Sequence, residues 1–286
     1  MDSHERRTFQ DPTGPYQLPN DAPEHDRLDA QSASIIALMN NKPIHAPLSS
    51  PKKILDIGCG TGAMTVILAK QFPQAQVIGI DIAPVPADRH GQTPSNVTYI
   101  QGDIRQLINS QDPNFQAASF DFIFERLLIL ALTDWPGHIS AISSLLKPNG
   151  WLECQEFEWT IYAASGERPM ESMEAYAAVV ADSEKIGLNV NIGRELPEIF
   201  RSGGGFGEVK HEIYECAPHE RVDRPELIGL ERQIPDLWRF MIGKICSGKR
   251  SEEDIAKYQR EFNEMWTSKL DGTERHRMHV VIGQKK

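Results

Sequence analysis

Asp56, Gly58, Gly60 and Gly62 occupy alternate positions in the run Ile54-Leu-Asp-Ile-Gly-Cys-Gly-Thr-Gly62, a spacing that suits a turn wrapped around a nucleotide-like ligand. Glycine admits positive φ and close approach of a ligand, and a helix starting just after the turn offers free N–H groups and a positive dipole end. Two further acids stand where such a ligand would need them. Asp81 closes Val77-Ile-Gly-Ile80, and Asp103 follows Val97-Thr-Tyr-Ile-Gln-Gly102. An acid ending the second strand of a mononucleotide-binding unit takes a ribose diol. One ending the third can accept a hydrogen bond from an adenine amino group. Each acid alone is as readily a solvated strand end. Three of them at successive strand ends beside this turn favour the ligand.

Two cofactor classes use such a turn. Gly58, Gly60 and Ala63 satisfy the dinucleotide pattern G-x-G-x-x-A, so a nicotinamide oxidoreductase has to be weighed. That enzyme class calls for a Tyr-x-x-x-Lys or a comparable acid/base set, and no tyrosine with a lysine four residues later follows the fifth strand. Asp56-x-Gly58-x-Gly60-x-Gly62 also has the even glycines and leading acid of a class I S-adenosylmethionine site.

Acid/base candidates are fewer. Glu156 and Glu158 alternate with Phe157 and Trp159, which places carboxylates and aromatics on opposite sides of that segment. Glu156 is the preferred polar pocket residue, although a capping or solvated carboxylate is the commoner fate of such a side chain. His138, His211 and His219 are histidine candidates, of which His138 ranks first; each is more often a surface histidine. Trp159, Tyr176 and Trp238 are the candidate acceptor-pocket residues, with Tyr162, Phe240 and Trp266 nearby in sequence. They suit a flat apolar acceptor or, alternatively, the core of a lid.

The elements that must position these residues follow from pattern. Ile54–Ile57, Val77–Asp81, Val97–Ile100, Phe120–Phe124 and Trp151–Gln155 are short apolar runs separated by enough chain for crossover helices, the mark of buried parallel strands. A helix is expected from Trp135 to Leu146, ended by Pro148 and Gly150. Further helices are expected over Asp21–Asn40, Met170–Ile186, Leu227–Ile245 and Glu252–Lys269, and further strands over Val209–Cys216 and Met278–Ile282. Alternating strands and helices predict an α/β, doubly wound sheet. The expected organisation is an arm and cap over 1–50, a cofactor-binding core over 51–160, and a remainder over 161–286 that adds sheet and a helical lid.

Composition excludes several classes. The 286 residues are 40% hydrophobic and 24% charged, an ordinary globular balance, and a chain this long buries roughly 75% of its unfolded surface without a staple. Thirty basic against forty acidic residues give a net charge of −10, with no Lys/Arg run beyond pairs. Nucleic acid, bound through phosphate neutralisation, is therefore not an expected partner. Cys59, Cys154, Cys216 and Cys246 form no C-x-x-C, so neither a disulfide framework nor a metal site is expected. No stretch approaches the ~20 apolar residues that span a bilayer, and a cytoplasmic protein without a membrane partner is the expectation. A homodimer stays open.

Leu55–Gly62, Gly79–Asp81, Gly102-Asp103, Phe120–Ile123 and Leu146–Leu152, in this order over about 100 residues, together resemble the class I S-adenosylmethionine-dependent methyltransferases. Tyr16-Gln-Leu-Pro-Asn-Asp21 with Glu24, Arg27-Leu28 and Gln31, then Asp134-Trp135 and Gly150–Glu156, is similar to the fungal methyltransferases of secondary-metabolism type, a group that includes a global regulator. The resemblance implies a seven-stranded Rossmann-like methyltransferase sheet with an antiparallel last strand. It also implies S-adenosyl-L-methionine as cofactor and a small-molecule acceptor, most simply methylated on oxygen. By position, Gly58 and Gly60 would approach the methionine portion, Asp81 the ribose, and Asp103 with Ile104 the adenine. Glu125 and Arg126 would sit at the methionine end, Arg126 against the cofactor carboxylate, and Tyr16 with Arg27 would fold over as a cap. Asp56, Cys59 and Ile82 complete the implied cofactor set. A non-methylating or regulatory protein that keeps the fold is the rival reading. An arginine-directed protein methyltransferase is disfavoured, since the paired glutamates it needs after the fourth strand are represented by Glu125 alone.

Overall fold

A computed structural model describes residues 21–286 except 204 and 219–222. The chain enters through helix α1 (Ala22–Leu38), started by Asp21, whose carboxylate accepts the Glu24 N–H at 3.1 Å. Strand β1 (Lys53–Ile57) then runs through the glycine turn into α2 (Ala63–Gln71), β2 (Gln76–Asp81), β3 (Val97–Gln101) and α3 (Ile104–Asn109). Next come β4 (Phe120–Arg126), α4 (Trp135–Ser143), β5 (Leu146–Tyr162), α5 (Glu174–Glu184), α6 (Ile192–Gly203) and β6 (Phe206–Cys216). The chain closes with α7 (Ile228–Glu231), α8 (Gln233–Cys246), α9 (Glu252–Glu264) and β7 (Arg275–Lys285).

The seven strands form one sheet in the order β3-β2-β1-β4-β5-β7-β6. The first five pair in parallel and β7 lies antiparallel between β5 and β6, so the doubly wound sheet with its reversed last strand is present as expected. Ile54, Leu55, Phe122, Ile123 and Phe124 are all buried, because helices cover both faces and successive side chains on each strand meet one layer or the other. The order reverses between β1 and β4, which opens a crevice at the carboxyl ends of those strands.

Several boundaries differ from expectation for local reasons. β5 is 17 residues long rather than five, because antiparallel β7 follows it past the parallel part of the sheet, from Trp151↔Gln284 to Tyr162↔Arg275. The helix expected over Trp135–Leu146 stops at Ser143, and Leu146 already pairs with Phe120. The one expected over Leu227–Ile245 breaks at Arg232. Pro235 explains that break, since its ring clashes with the carbonyl four residues back and it has no N–H to donate. α5, α8 and α9 pack on one another as the lid, and α1 packs on α7.

Candidate functional site

The glycine turn is built as its residues dictate. Gly58 and Cys59 both donate their N–H to the Ile80 carbonyl, at 2.8 and 3.0 Å, which locks the end of β1 to β2. Gly58, Gly60 and Gly62 all have positive φ (67°, 55° and 81°), a region that favours glycine. A Cβ at Gly58 would strike Leu128 and one at Gly62 would strike the Tyr99 hydroxyl, whereas one at Gly60 would meet nothing within 4 Å. The turn is packed from below and open at Gly60.

Asp81 faces that opening. Its carboxylate accepts the Gly60 N–H at 2.8 Å and the Ala83 N–H at 2.9 Å, and burial pushes its pKa up despite those bonds. Ile82, next in the chain, is 44% exposed, an uncovered apolar side chain at the strand end. Asp103 caps α3 by accepting the Arg105 N–H at 2.8 Å, and Ile104 is buried beside it. Asp56 lies beneath the turn, where it accepts the Thr65 hydroxyl at 2.5 Å. Burial carries its pKa up to about 7, against the opposing pull of Thr65 and Arg126. The same burial raises the Cys59 thiol well above its ordinary range.

Arg126 ends β4 on this side of the sheet. Its Nη2 donates to Ser32 Oγ of α1 at 2.6 Å, and the guanidinium lies 6.0 Å from the centre of the Phe124 ring. Burial lowers its pKa to about 10, resisted by the carboxylates of Asp56, Glu156 and Glu153. Its Nη1 is buried and has no hydrogen-bond partner among the described residues. α1 closes the crevice from above, with Asp29 accepting the Thr61 hydroxyl at 2.5 Å. Arg27 is engaged by protein partners: Nε and Nη2 bind Glu24 of the same helix, and Nη1 donates to Gln233 Oε1 of α8 at 2.8 Å. Tyr16 and His219 lie outside the described residues.

Glu125 does not join Arg126. Neighbouring strand residues point to opposite faces, and Glu125 is fully buried under α4, with Oε2 2.7 Å from His138 Nε2 and Oε1 accepting from Cys154 Sγ at 2.8 Å. That pairing also buries His138. Glu156 is fully buried and accepts the backbone N–H groups of Leu128 (2.5 Å) and Ile129 (3.3 Å), while burial drives its pKa well up. It therefore fixes the loop that sets Leu128 against Gly58. Trp159, Tyr176 and Trp238 come together as buried core, with ring centroids 5.1 Å apart for the two tryptophans and 6.1 Å for Tyr176 and Trp238, and Trp238 stacks on Phe262 of α9, which fits the alternative of a lid core. Sequence reasoning missed Asp29, Ser32, Thr65 and Leu128. Thr65, one helical turn into α2, was the one with a local signal; the others touch partners 28 to 94 residues away.

Comparison with known proteins bears on this arrangement. Residues 33–201 match the family described as a methyltransferase domain. The chain is 30% identical over 242 residues to the methyltransferase str2 of Strobilurus tenacellus, covering 84% of each chain. It is 32% identical over 148 residues to the secondary metabolism regulator laeA of Aspergillus fumisynnematus, which spans 51% of this chain and 38% of the regulator. In fold it is similar to phosphoethanolamine N-methyltransferase 2 of Haemonchus contortus, solved with S-adenosylhomocysteine, at a TM-score of 0.50 and 20% identity. That likeness covers 87% of this chain and about half (52%) of the other.

Proposed function

The chain belongs to the class I S-adenosylmethionine-dependent methyltransferases, of the fungal secondary-metabolism type, and from that premise we propose that it methylates a small-molecule acceptor on oxygen. Arg126 Nη1 is the observation that carries the reading of the crevice. A buried guanidinium donor left without an acceptor calls for an anionic ligand group, and the cofactor's carboxylate is the group of that kind. The open side of Gly60, the Asp81 carboxylate next to it and the uncovered Ile82 fit the nucleoside part in polarity and in room.

When bound, S-adenosylmethionine supplies a methyl group on a sulfonium, already a good leaving group. The protein's own work is then orientation and exclusion of water. Gly58 and Gly60 shape the turn, Arg126 would hold the carboxylate of the methionine portion and Asp81 the ribose, and α1 covers this side of the crevice through Ser32 and Asp29. The aromatic character of the Trp159, Tyr176 and Trp238 cluster supports a flat apolar acceptor, and the net charge of −10 disfavours a phosphate backbone as one. The carboxylate of Glu156 is taken up by two backbone N–H groups and His138 Nε2 by Glu125, so both are assigned to positioning. The choice of oxygen is supported by the resemblance to the secondary-metabolism group.

The test is transfer of labelled methyl from S-adenosylmethionine to a panel of phenols and carboxylic acids, with mass spectrometry of the products. An O-methylated product is expected. Methylation at nitrogen or carbon would overturn the choice of oxygen. Tight binding of S-adenosylhomocysteine with no transfer to any acceptor would favour the regulatory reading.

A further inference from the structure

Strand β6 forms one edge of the sheet and pairs with β7 on one side only. In an antiparallel ladder alternate residues turn their N–H and C=O groups away from the neighbouring strand, so half of the backbone groups of β6 face outward. Among the described residues, no backbone group outside β7 bonds to residues 207–216. The edge is also long and uncovered. Of its 11 residues, all but Phe206, Val209, Tyr214 and Cys216 are exposed, and Ile213 leaves 46% of its surface in water. There is no proline in the strand, and its one irregularity lies at its start, between Phe206 and Glu208. A free edge of this length is a template for another strand.

The order of residues along β6 says which strand fits. A two-fold axis normal to the sheet sets a second β6 antiparallel to the first. Outward backbone groups then meet outward groups only where residues of the same parity oppose one another, which leaves registers centred on a residue. Centring on Lys210 sets lysine against lysine and Glu208 against Glu212, and centring on Glu212 sets glutamate against glutamate. Centring on His211 sets Lys210 against Glu212 twice, Val209 against Ile213 twice, and Glu208 against Tyr214. Opposite charges and apolar pairs directly across a ladder stabilise it, and like charges oppose it. The charges now present on the edge do not stand in the way. Lys210 holds Glu208 at 3.3 Å and Glu212 accepts the Tyr214 hydroxyl at 2.8 Å, exposed contacts that are weak and readily exchanged. Glu215 is answered by Arg277 of β7 at 2.8 Å. Partial burial, with His279 and Arg201 nearby, lowers the pKa of His211, so two such rings at the axis are uncharged at neutral pH.

We propose that this edge is the interface between two copies of the chain, their β6 strands pairing antiparallel about His211 over residues 208–214 to make one continuous sheet. The pairing adds about six to eight backbone hydrogen bonds. An edge contact of this kind is at the small end of protein interfaces, so association is reversible, with a dissociation constant of about 1–100 μM. β5 and β7 stand between β6 and β4, which puts the crevice roughly 14 Å away across the sheet and leaves it the same in one chain as in two. The inference is independent of the methyltransferase reading.

Sedimentation of the full chain from about 1 to 300 μM tests this, and the average mass is expected to rise from one chain towards two. Lys210→Glu and Glu212→Lys each set like charges opposite one another twice, and each weakens association by about tenfold or more. The chain carrying both substitutions has its opposite charges restored and associates again to within a few-fold of the parent. Unchanged melting temperatures in dilute solution show that all three variants are folded. Hydrogen exchange gives a readout that needs no variant: the amides of β6 slow as the concentration of the unsubstituted chain rises, and those of β3, the opposite edge, do not. A single-chain mass at every concentration would overturn the proposal and leave the edge charges as a guard against pairing. Charge reversal without effect, a doubly substituted chain that stays apart, or slowed exchange that falls outside β6 would overturn it equally.

Discussion

Arg126 and Asp56 are two ionisable groups drawn out of water beneath one turn. Arg126 keeps one donor, Nη1, without a partner. If that donor meets the carboxylate of the cofactor, Arg126→Met weakens S-adenosylhomocysteine binding by about 10- to 100-fold, the worth of a charge-assisted hydrogen bond. 5′-Methylthioadenosine, which has no carboxylate, binds both proteins alike. Calorimetry with the two ligands checks this, and equal losses for both would point to a collapsed crevice instead. Asp56 gives a pH signature. Its pKa rises from 3.8 to about 7 on folding, so the folded chain holds a proton that the unfolded chain has released. The stability this confers is fully present below pH 3.8 and is lost as pH rises through 7. Thermal unfolding of Asp56→Asn should therefore show a flatter decline between pH 5 and pH 8 than the parent chain, and a higher melting temperature at pH 8.

At the scale of elements, the loop that follows β4 depends on a carboxylate from β5. Glu156→Ala strips acceptors from the buried Leu128 and Ile129 N–H groups and is expected to cost ~2–4 kcal/mol in urea unfolding. Glu156→Gln keeps an acceptor of the same size, stays within ~1 kcal/mol of the parent and retains methyl transfer. Loss of transfer in a stably folded Glu156→Gln would instead make Glu156 the base. The strands themselves were legible because an apolar run of four or five residues bounded by turns has few other readings. The full length of β5 was not, since the pairing that extends it to Tyr162 comes from Arg275 and His276, more than 100 residues later. Glu156 shows the same limit. Its type and spacing announce a carboxylate at a strand end, and only the folded loop decides whether it faces a ligand or two backbone amides. Glu125 and Arg126 were legible as a pair at the right place, and the pleat then sent them to opposite faces.

Across the whole molecule, α1 is what joins the crevice to the lid. The expectation was a helical arm and cap, and in this helix Glu24, Gln31, Ser32 and Ser34 are buried along with Ile35 and Leu38, because it packs through polar contacts on two sides. Ser32 reaches Arg126, Asp29 reaches Thr61, and Arg27 reaches Gln233 of α8. None of these links is visible in the sequence around either partner. Gly229 of α7 allows the closest approach: a Cβ there would stand 2.6 Å from the Ala30 carbonyl oxygen and 2.8 Å from Ser34 Oγ. Gly229→Val must therefore push α7 off α1, although α7 contributes no residue to the crevice. Lower cofactor affinity by a few-fold is expected, together with a fall of several degrees in melting temperature. In hydrogen exchange, S-adenosylhomocysteine should slow α1 and α8 together in the parent chain, and in the variant should protect the glycine turn without α8. A variant that melts earlier but binds the ligand with unchanged affinity would show that α1 only props the lid, and that the crevice holds its ligand without help from α7.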